Sequence, residues 1–211
     1  MLRRLKQFGF APRIGALFFA LALLASGCSQ HAKLPPLPAD AVLLAFGDSL
    51  TFGTGANEAE SYPAQLARLT GRRVLREGVP GEVSAAGLSR LAALLDEHRP
   101  RLLLLCHGGN DFLRRLPKDK AADNVRAMIR LAKDRGIEVL LIGTPEIGLT
   151  MTPPDFYAAI AKQFGVPYEG EVLTKIMRDS TLKAAQVHPN ALGYRLMAER
   201  VAELLRKSGA I

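Results

Sequence analysis

The stretch AVLLAFGDSL, residues 41–50, decides the fold class. Its first six residues are wholly apolar, which is typical of a strand covered by helices on both faces of a parallel sheet. The polar turn Gly47-Asp48-Ser49 follows directly, and two further predicted strands also run into glycine-rich polar loops, at residues 78–82 and 108–111. Because open parallel sheets form their sites at the carboxyl ends of the strands, this pattern indicates one site at one sheet edge.

Strands and helices alternate along the rest of the chain. The spacing of apolar residues predicts strands at residues 41–46, 73–79, 102–106, 138–143 and 166–168, and helices at residues 62–70, 83–98, 119–135, 154–164 and 190–207. This alternation predicts an α/β fold, a three-layer α/β/α sandwich with a central five-stranded parallel sheet in a flavodoxin-like arrangement. With 211 residues, the chain is long enough for one such domain.

The N-terminus has the composition of a targeting segment. Four basic residues precede the apolar run 14–25, which is too short to cross a bilayer comfortably as a helix. The run ends in Ala25-Ser26-Gly27-Cys28, which resembles the lipobox of bacterial lipoproteins. The resemblance implies a signal peptide at residues 1–27, cleavage before Cys28 and lipidation of Cys28. The alternative is an ordinary signal peptide with an incidental cysteine.

Residues 28–40, rich in proline, are then expected to be a lipidated tether, and the domain to occupy residues 41–211. Several lipid chains would hold the protein at a membrane, since each buried CH₂ group contributes about 0.8 kcal/mol. Ser29 follows Cys28, which by resemblance favours the outer membrane over the inner one. The expected location is the cell envelope of a bacterium, on the periplasmic face.

The net charge of +8 does not indicate nucleic-acid binding. Residues 1–27 hold four of the 28 basic residues and no acid, so residues 28–211 carry 24 basic and 20 acidic residues, a net charge of +4. That part has no basic run or aromatic-interleaved patch, and we expect no nucleic-acid partner. The histidines are scattered and no Cys/His cluster occurs, so we expect no metal and no other cofactor. We favour a monomer, although the sequence leaves the oligomeric state open.

Four candidate residues lie in the predicted loops, and their types suit acyl transfer. Ser49 would be the nucleophile and His188 the base that takes and returns its proton. Gly81 would let a backbone N–H approach the substrate closely, and the Asn110 side-chain amide is a neutral donor for a developing oxyanion. The backbone N–H of Ser49 would be the third donor. Gly78 is an alternative to Gly81 for the close approach.

These residues, in this order, resemble the SGNH hydrolase family, also called GDSL esterases and lipases. The resemblance covers about residues 41–206 and is most similar in its motifs to small bacterial arylesterases and to the thioesterase/lysophospholipase group. It implies an SGNH hydrolase domain at residues 41–211 and a serine esterase with Ser49 and His188 as catalytic residues. It also implies an oxyanion hole made by Ser49, Gly81 and Asn110.

One position departs from the family pattern. The family has an Asp three residues before the histidine, and Ala185 occupies that position here. An Asp there orients the imidazole and stabilises the imidazolium, which alanine cannot do. Three interpretations remain open: a backbone carbonyl or Asp179 replaces the Asp; the protein has declined to a weak enzyme or a binding protein; or the alanine is an introduced change.

The expected function is hydrolysis of small carboxylic esters through an acyl-Ser49 intermediate. Short or medium acyl and aryl esters are the expected substrates, and thioesters or lysophospholipids are implied by the resemblance. Loops 52–60, 112–118 and 144–156 are expected to contact the substrate. The alternatives are an O-deacetylase of polysaccharide or peptidoglycan, and a non-catalytic envelope lipoprotein that binds acyl or glycan ligands. The low aromatic content of 6% and the lack of tryptophan argue against a polysaccharide site.

Overall fold

A computed structural model describes residues 32–148 and 150–211. The predicted signal peptide and Cys28 lie outside these described residues. A five-stranded parallel sheet forms the centre, in the order β2-β1-β3-β4-β5. Its strands are β1 (Val42–Gly47), β2 (Arg73–Gly78), β3 (Leu102–Cys106), β4 (Glu138–Ile142) and β5 (Tyr168–Glu169). This sheet confirms the predicted fold class, and its strand order is that of flavodoxin-like sheets.

Helices cover both faces of the sheet, and two further short strands form a separate hairpin. The helices are α1 (Ser49–Phe52), α2 (Tyr62–Thr70), α3 (Ser84–His98), α4 (Gly109–Leu113), α5 (Lys118–Lys133), α6 (Phe156–Phe164), α7 (Val172–Arg178) and α8 (Ala191–Ser208). The hairpin pairs β6 (Lys183–Ala185) with β7 (His188–Pro189) in antiparallel fashion. The sequence analysis predicted neither the hairpin nor the short helices α1, α4 and α7.

Alternation of side chains along the strands divides the core into two layers. Leu43 and Leu104 face a cluster that includes α2, α7 and α8, whereas Leu44 and Leu105 face a cluster that includes α3, α5 and α6. Every residue of β3, the central strand, is buried. A strand that is covered on both faces reads as a continuous apolar run, which is why these strands were recognisable from the sequence.

The predicted domain start at residue 41 is wrong, because part of the predicted tether belongs to the domain. Leu34 and Leu37 are only 6% and 7% exposed and pack in the same layer as α8. Their amides donate to the carbonyls of Ser208 and Ala210, at 2.9 and 2.8 Å. We call residues 32–40 the N-terminal strap. It holds the C-terminal end of α8 and leads into the first residue of β1, so it lies at the end of the sheet opposite Ser49.

None of the helices within residues 32–148 and 150–211 combines the length and the apolarity that a bilayer crossing requires.

Candidate active site

Ser49 lies where β1 turns into α1. Asp48 caps this four-residue helix, because its Oδ1 accepts a hydrogen bond from the amide of Leu50 at 3.0 Å. Ser49 is therefore the first helical residue, a position whose amide has no partner within the helix. The side chain of Ser49 is partly exposed, whereas Asp48 beneath it is 2% exposed. The turn thus presents both the hydroxyl and the amide of Ser49 at the carboxyl edge of the sheet.

His188 meets Ser49 from the β6–β7 hairpin. The distance between His188 Nε2 and Ser49 Oγ is 3.0 Å, which is a hydrogen bond across 139 positions of sequence. Asn190 fixes the far side of the hairpin: its Oδ1 caps α8 by accepting from the amide of Gly193 at 3.0 Å, and its Nδ2 donates to the carbonyl of Thr181 at 2.9 Å. The structure therefore brings the predicted nucleophile and the predicted base together.

The imidazole of His188 lacks the usual carboxylate partner. Burial lowers the pKa of His188 from its ordinary value, and the charge of Asp48 acts in the opposite direction without reversing this. Ala185 is paired with His188 in the hairpin, and its side chain is exposed. Among the described residues, none is hydrogen-bonded to Nδ1 of His188. The pair of Ser49 and His188 is thus a dyad in this structure.

Asp179, one of the predicted replacements for the missing Asp, does not fill that role. Its Oδ1 accepts from the amide and the hydroxyl of Thr181, at 2.9 and 2.6 Å, and these bonds lower the pKa of Asp179. The carboxylate therefore caps the turn that precedes β6 and makes no hydrogen bond with His188. The interpretation that Asp179 orients His188 is wrong for this structure.

Asn110 points its amide toward the same turn as Ser49. Its Nδ2 donates to Asp48 Oδ2 at 3.1 Å and to the carbonyl of Glu82 at 3.0 Å. An amide nitrogen has two hydrogens, so both are engaged here. These bonds hold Nδ2 in place, and donation to an oxyanion would require one of the two hydrogens to be shared.

The two candidate glycines have different surroundings. A Cβ on Gly78 would lie 2.1 Å from the amide nitrogen of Phe52, so this glycine is needed for the packing of α1 on β2. Gly81 has a φ of +78°, and a Cβ there would meet only a guanidinium nitrogen of Arg114 at 3.7 Å. The carbonyl of Gly81 accepts a hydrogen bond from Arg114 at 2.7 Å. A substrate can therefore approach the backbone closely at Gly81, whereas the space beside Gly78 is filled by α1.

A small pocket opens beside the dyad. Its volume is about 40 Å³, and it is lined by Asp48, Ser49, Leu50, Gly109, Asn110, Leu113, Thr144, Pro145, Ile147, Met177, Val187 and His188. Two of the three predicted substrate loops contribute to it, 112–118 and 144–156, while loop 52–60 and Gly81 do not. A larger cavity of about 360 Å³, which Glu169 and Arg200 help to line, contains none of the predicted catalytic residues. The residues that line the smaller pocket therefore favour it, rather than the larger cavity, as the active site.

The sequence analysis missed a buried group of polar residues next to this pocket. Glu82 accepts hydrogen bonds from Arg90 Nε at 2.8 Å and contacts Nε2 of His107 at 3.1 Å. His107 is fully buried. Burial alone would raise the pKa of Glu82, but the hydrogen bonds with His107 and Arg90 outweigh it and lower the pKa. The side chains of Glu82, Arg90 and His107 are 7%, 24% and 0% exposed, and we call these three residues the buried polar cluster.

The fold and the site together define an SGNH-type hydrolase, and the comparison with known families agrees. The model of the GDSL-like lipase/acylhydrolase family matches residues 45–196, which is most of the chain. The chain belongs to this family and is a carboxylic ester hydrolase.

Particular relatives support the same class. The chain is 34% identical over 152 residues to esterase TesA of Pseudomonas aeruginosa, covering 68% of this chain and 73% of that protein. It is 28% identical over 178 residues to thioesterase 1/protease 1/lysophospholipase L1 of Escherichia coli strain K12, covering 78% of this chain and 83% of that protein. A crystal structure of TesA superposes with a TM-score of 0.69 at 27% identity, covering 78% of this chain and 98% of that one.

Proposed function

We propose that this protein hydrolyses small carboxylic esters through an acyl-enzyme on Ser49, with His188 as its base. The observation that carries the proposal is the distance of 3.0 Å between His188 Nε2 and Ser49 Oγ, at the edge of a pocket that Asn110 also lines. A nucleophile and a base within hydrogen-bond distance are the minimum for acyl transfer. The comparisons favour this enzyme over a non-catalytic binding protein.

Each proton and bond in the reaction has a place in this site. His188 Nε2 takes the proton of Ser49 as Oγ bonds to the ester carbon, and the carbonyl oxygen becomes an oxyanion. The amide of Ser49 and Nδ2 of Asn110 are the proposed donors to that oxyanion, with the amide of Gly81 as the third. The bond to the leaving alkoxide breaks as His188 returns the proton to it. Water then repeats the sequence on the acyl-Ser49 and releases the acid.

The absence of an Asp at position 185 has a chemical consequence. An imidazole with a lowered pKa is neutral at pH 7, so it is ready to accept a proton. However, no carboxylate on Nδ1 stabilises the imidazolium that forms in the transition state. The proposal is therefore a working dyad with a turnover well below that of a complete triad.

The shape of the pocket favours small acyl groups. Leu113, Ile147, Met177 and Val187 supply an apolar wall, and the volume of the pocket is only about 40 Å³. Relatives are named esterase, and thioesterase/lysophospholipase, which makes thioesters and lysophospholipids reasonable second substrates. A polysaccharide O-deacetylase is less well supported, because the chain has no tryptophan to stack on sugar rings.

The proposed location is the periplasmic face of the bacterial outer membrane, with lipid on Cys28 as the anchor. The support is the sequence alone, namely the basic start, the apolar run 14–25 and the cysteine that follows it. Cys28→Ser in cells tests the anchor. We expect the protein to leave the membrane fraction, and retention of the variant in that fraction would contradict lipidation.

Hydrolysis of p-nitrophenyl butyrate by the full chain tests the activity. Ser49→Ala is expected to abolish it, while Ser89→Ala, which removes an exposed hydroxyl from α3, should leave it unchanged. Butyryl thioesters and O-acetylated polysaccharide, assayed side by side, separate the substrate classes. Equal rates for the parent chain and Ser49→Ala would contradict the proposed nucleophile, and activity on the polysaccharide alone would favour the deacetylase.

A further inference from the structure

The buried polar cluster connects the ends of three strands. Arg90 Nη2 donates to the carbonyl of Gly47 at 3.2 Å and to the carbonyl of Glu77 at 3.0 Å, which are residues at the ends of β1 and β2. His107 follows the last residue of β3 directly. Glu82 joins the two, because its carboxylate contacts both Arg90 and His107.

Each of these strand ends leads to one proposed oxyanion donor. Gly47 is two residues before Ser49, and His107 is three residues before Asn110. Glu82 itself follows Gly81, and its carbonyl accepts from Nδ2 of Asn110 at 3.0 Å. The position of the Glu82 main chain therefore affects two proposed donors, the amide of Gly81 and the side chain of Asn110.

The hydrogen bonds of His107 define the tautomer of its neutral ring. The amide of Gly108 donates to Nδ1 of His107 at 3.0 Å, so a neutral ring carries its hydrogen on Nε2 and donates it to Glu82. A Cβ on Gly87 would lie 2.3 Å from that Nε2. Gly87 in α3 thus makes room for His107. The guanidinium of Arg90 lies over the ring of Phe46, with Cζ at 4.2 Å from the ring centre.

We infer that Glu82, together with Arg90 and His107, positions the oxyanion donors of this esterase. The carboxylate of Glu82 is 7% exposed and fixed by both partners, so the loop that carries Gly81 cannot shift without breaking these contacts. None of the three side chains lines the pocket. They are positioning residues, and they act through the amide of Gly81 and the side chain of Asn110. The inference rests on the proposed function, namely on acyl transfer at Ser49.

A pair of substrates separates positioning from general stability. Sulfur is larger than oxygen and accepts hydrogen bonds poorly, so a thionoester gains little from oxyanion donors. Glu82→Gln, which keeps the side-chain shape and removes the charge, should lower kcat for p-nitrophenyl butyrate about 10- to 100-fold, since a misplacement of 1 Å can cost about 10²-fold. The KM should change little. The rate for the matching thionoester should fall much less, so the oxo/thiono rate ratio should drop about tenfold or more.

Asp96→Asn is the matched control. Asp96 lies near the C-terminal end of α3, the helix that also carries Arg90. The substitution breaks an ion pair in which Arg135 contacts both carboxylate oxygens of Asp96, at 2.7 and 3.2 Å. This variant should keep the oxo/thiono ratio of the parent chain. Arg90→Lys is the second test variant, in case Glu82→Gln does not fold.

An oxo/thiono ratio in the folded variants equal to that of the parent chain would overturn the inference. If both rates fall by the same factor, the cluster contributes only stability. If the parent chain shows no hydrolysis that depends on Ser49, the proposed function itself is contradicted, which is a separate outcome.

Discussion

Restoring the carboxylate at position 185 is the sharpest test of the dyad. In Ala185→Asp, the new side chain is on the residue that pairs with His188 across the hairpin. Two unit charges about 4 Å apart interact by about 4 kcal/mol at an effective dielectric constant of about 20. Residue 185 is exposed and His188 is only partly buried, so solvent screening reduces this to about 1 kcal/mol, the upper end for exposed ion pairs. Since about 1.4 kcal/mol corresponds to one pKa unit, the pKa of His188 should rise by about 0.7.

Two effects on the pH profile of kcat/KM follow. His188 must be neutral to act as a base, so activity is lost as pH falls through its pKa. In the parent chain the lowered pKa puts this loss at a pH below the ordinary histidine value of 6.5. In Ala185→Asp the loss should move to higher pH. The plateau should rise by about 10² to 10³, less than the roughly 10⁴ lost when a serine protease loses its Asp, because this hairpin is exposed.

The assay is hydrolysis of p-nitrophenyl butyrate between pH 4 and 9. Gln186→Glu is the control, because it adds the same charge to the same hairpin at an exposed residue outside the triad position. It should leave the plateau almost unchanged. If Ala185→Asp neither raises the plateau nor moves the acid limb, residue 185 does not face Nδ1 and the family role of this position does not carry over.

Three further predictions concern residues around the site and the strap. Leu37→Ala should lower the free energy of unfolding by about 2 to 3 kcal/mol in urea titration and leave kcat unchanged; a loss of kcat would mean that the strap acts on the site. Asp48→Asn removes a charge that raises the pKa of His188, so the acid limb should move to lower pH; an unmoved limb would contradict this coupling. Gly81→Ala and Gly71→Ala both force alanine to a positive φ, at +78° and +64°, and each should destabilise by about 1 kcal/mol. Only Gly81→Ala should also lower kcat, and equal kcat values would remove Gly81 from the oxyanion hole.

The sheet was predictable because its signal is local. A strand buried on both faces is continuously apolar, and β3, which is buried at every residue, was placed at its observed residues. The dyad was predictable for a different reason: Ser49 and His188 stand in motifs that resemble those of the family, and the resemblance implied their roles. Helices α1 and α4 were missed because four or five residues are too few to show a helical period.

The features that were missed depend on contacts between distant residues. Leu34 and Leu37 are two leucines among prolines, and only their packing against the C-terminal end of α8 explains why they are buried. The contact of Glu82 with His107 joins residues 25 positions apart, and no spacing rule connects them. Asp179 was predicted as a partner of His188 because it lies close to it in the sequence. Its carboxylate instead accepts a hydrogen bond from Thr181 and caps its own turn.

The N-terminal strap also leaves one side of the domain open to chemical modification. The strap lies at the end of the sheet where β1 begins, and Ser49 lies at the other end, one strand of about 20 Å away. A bulky group attached to the strap, for example at the exposed Lys33, would therefore lie on the side of the domain away from the pocket and leave access to Ser49 open.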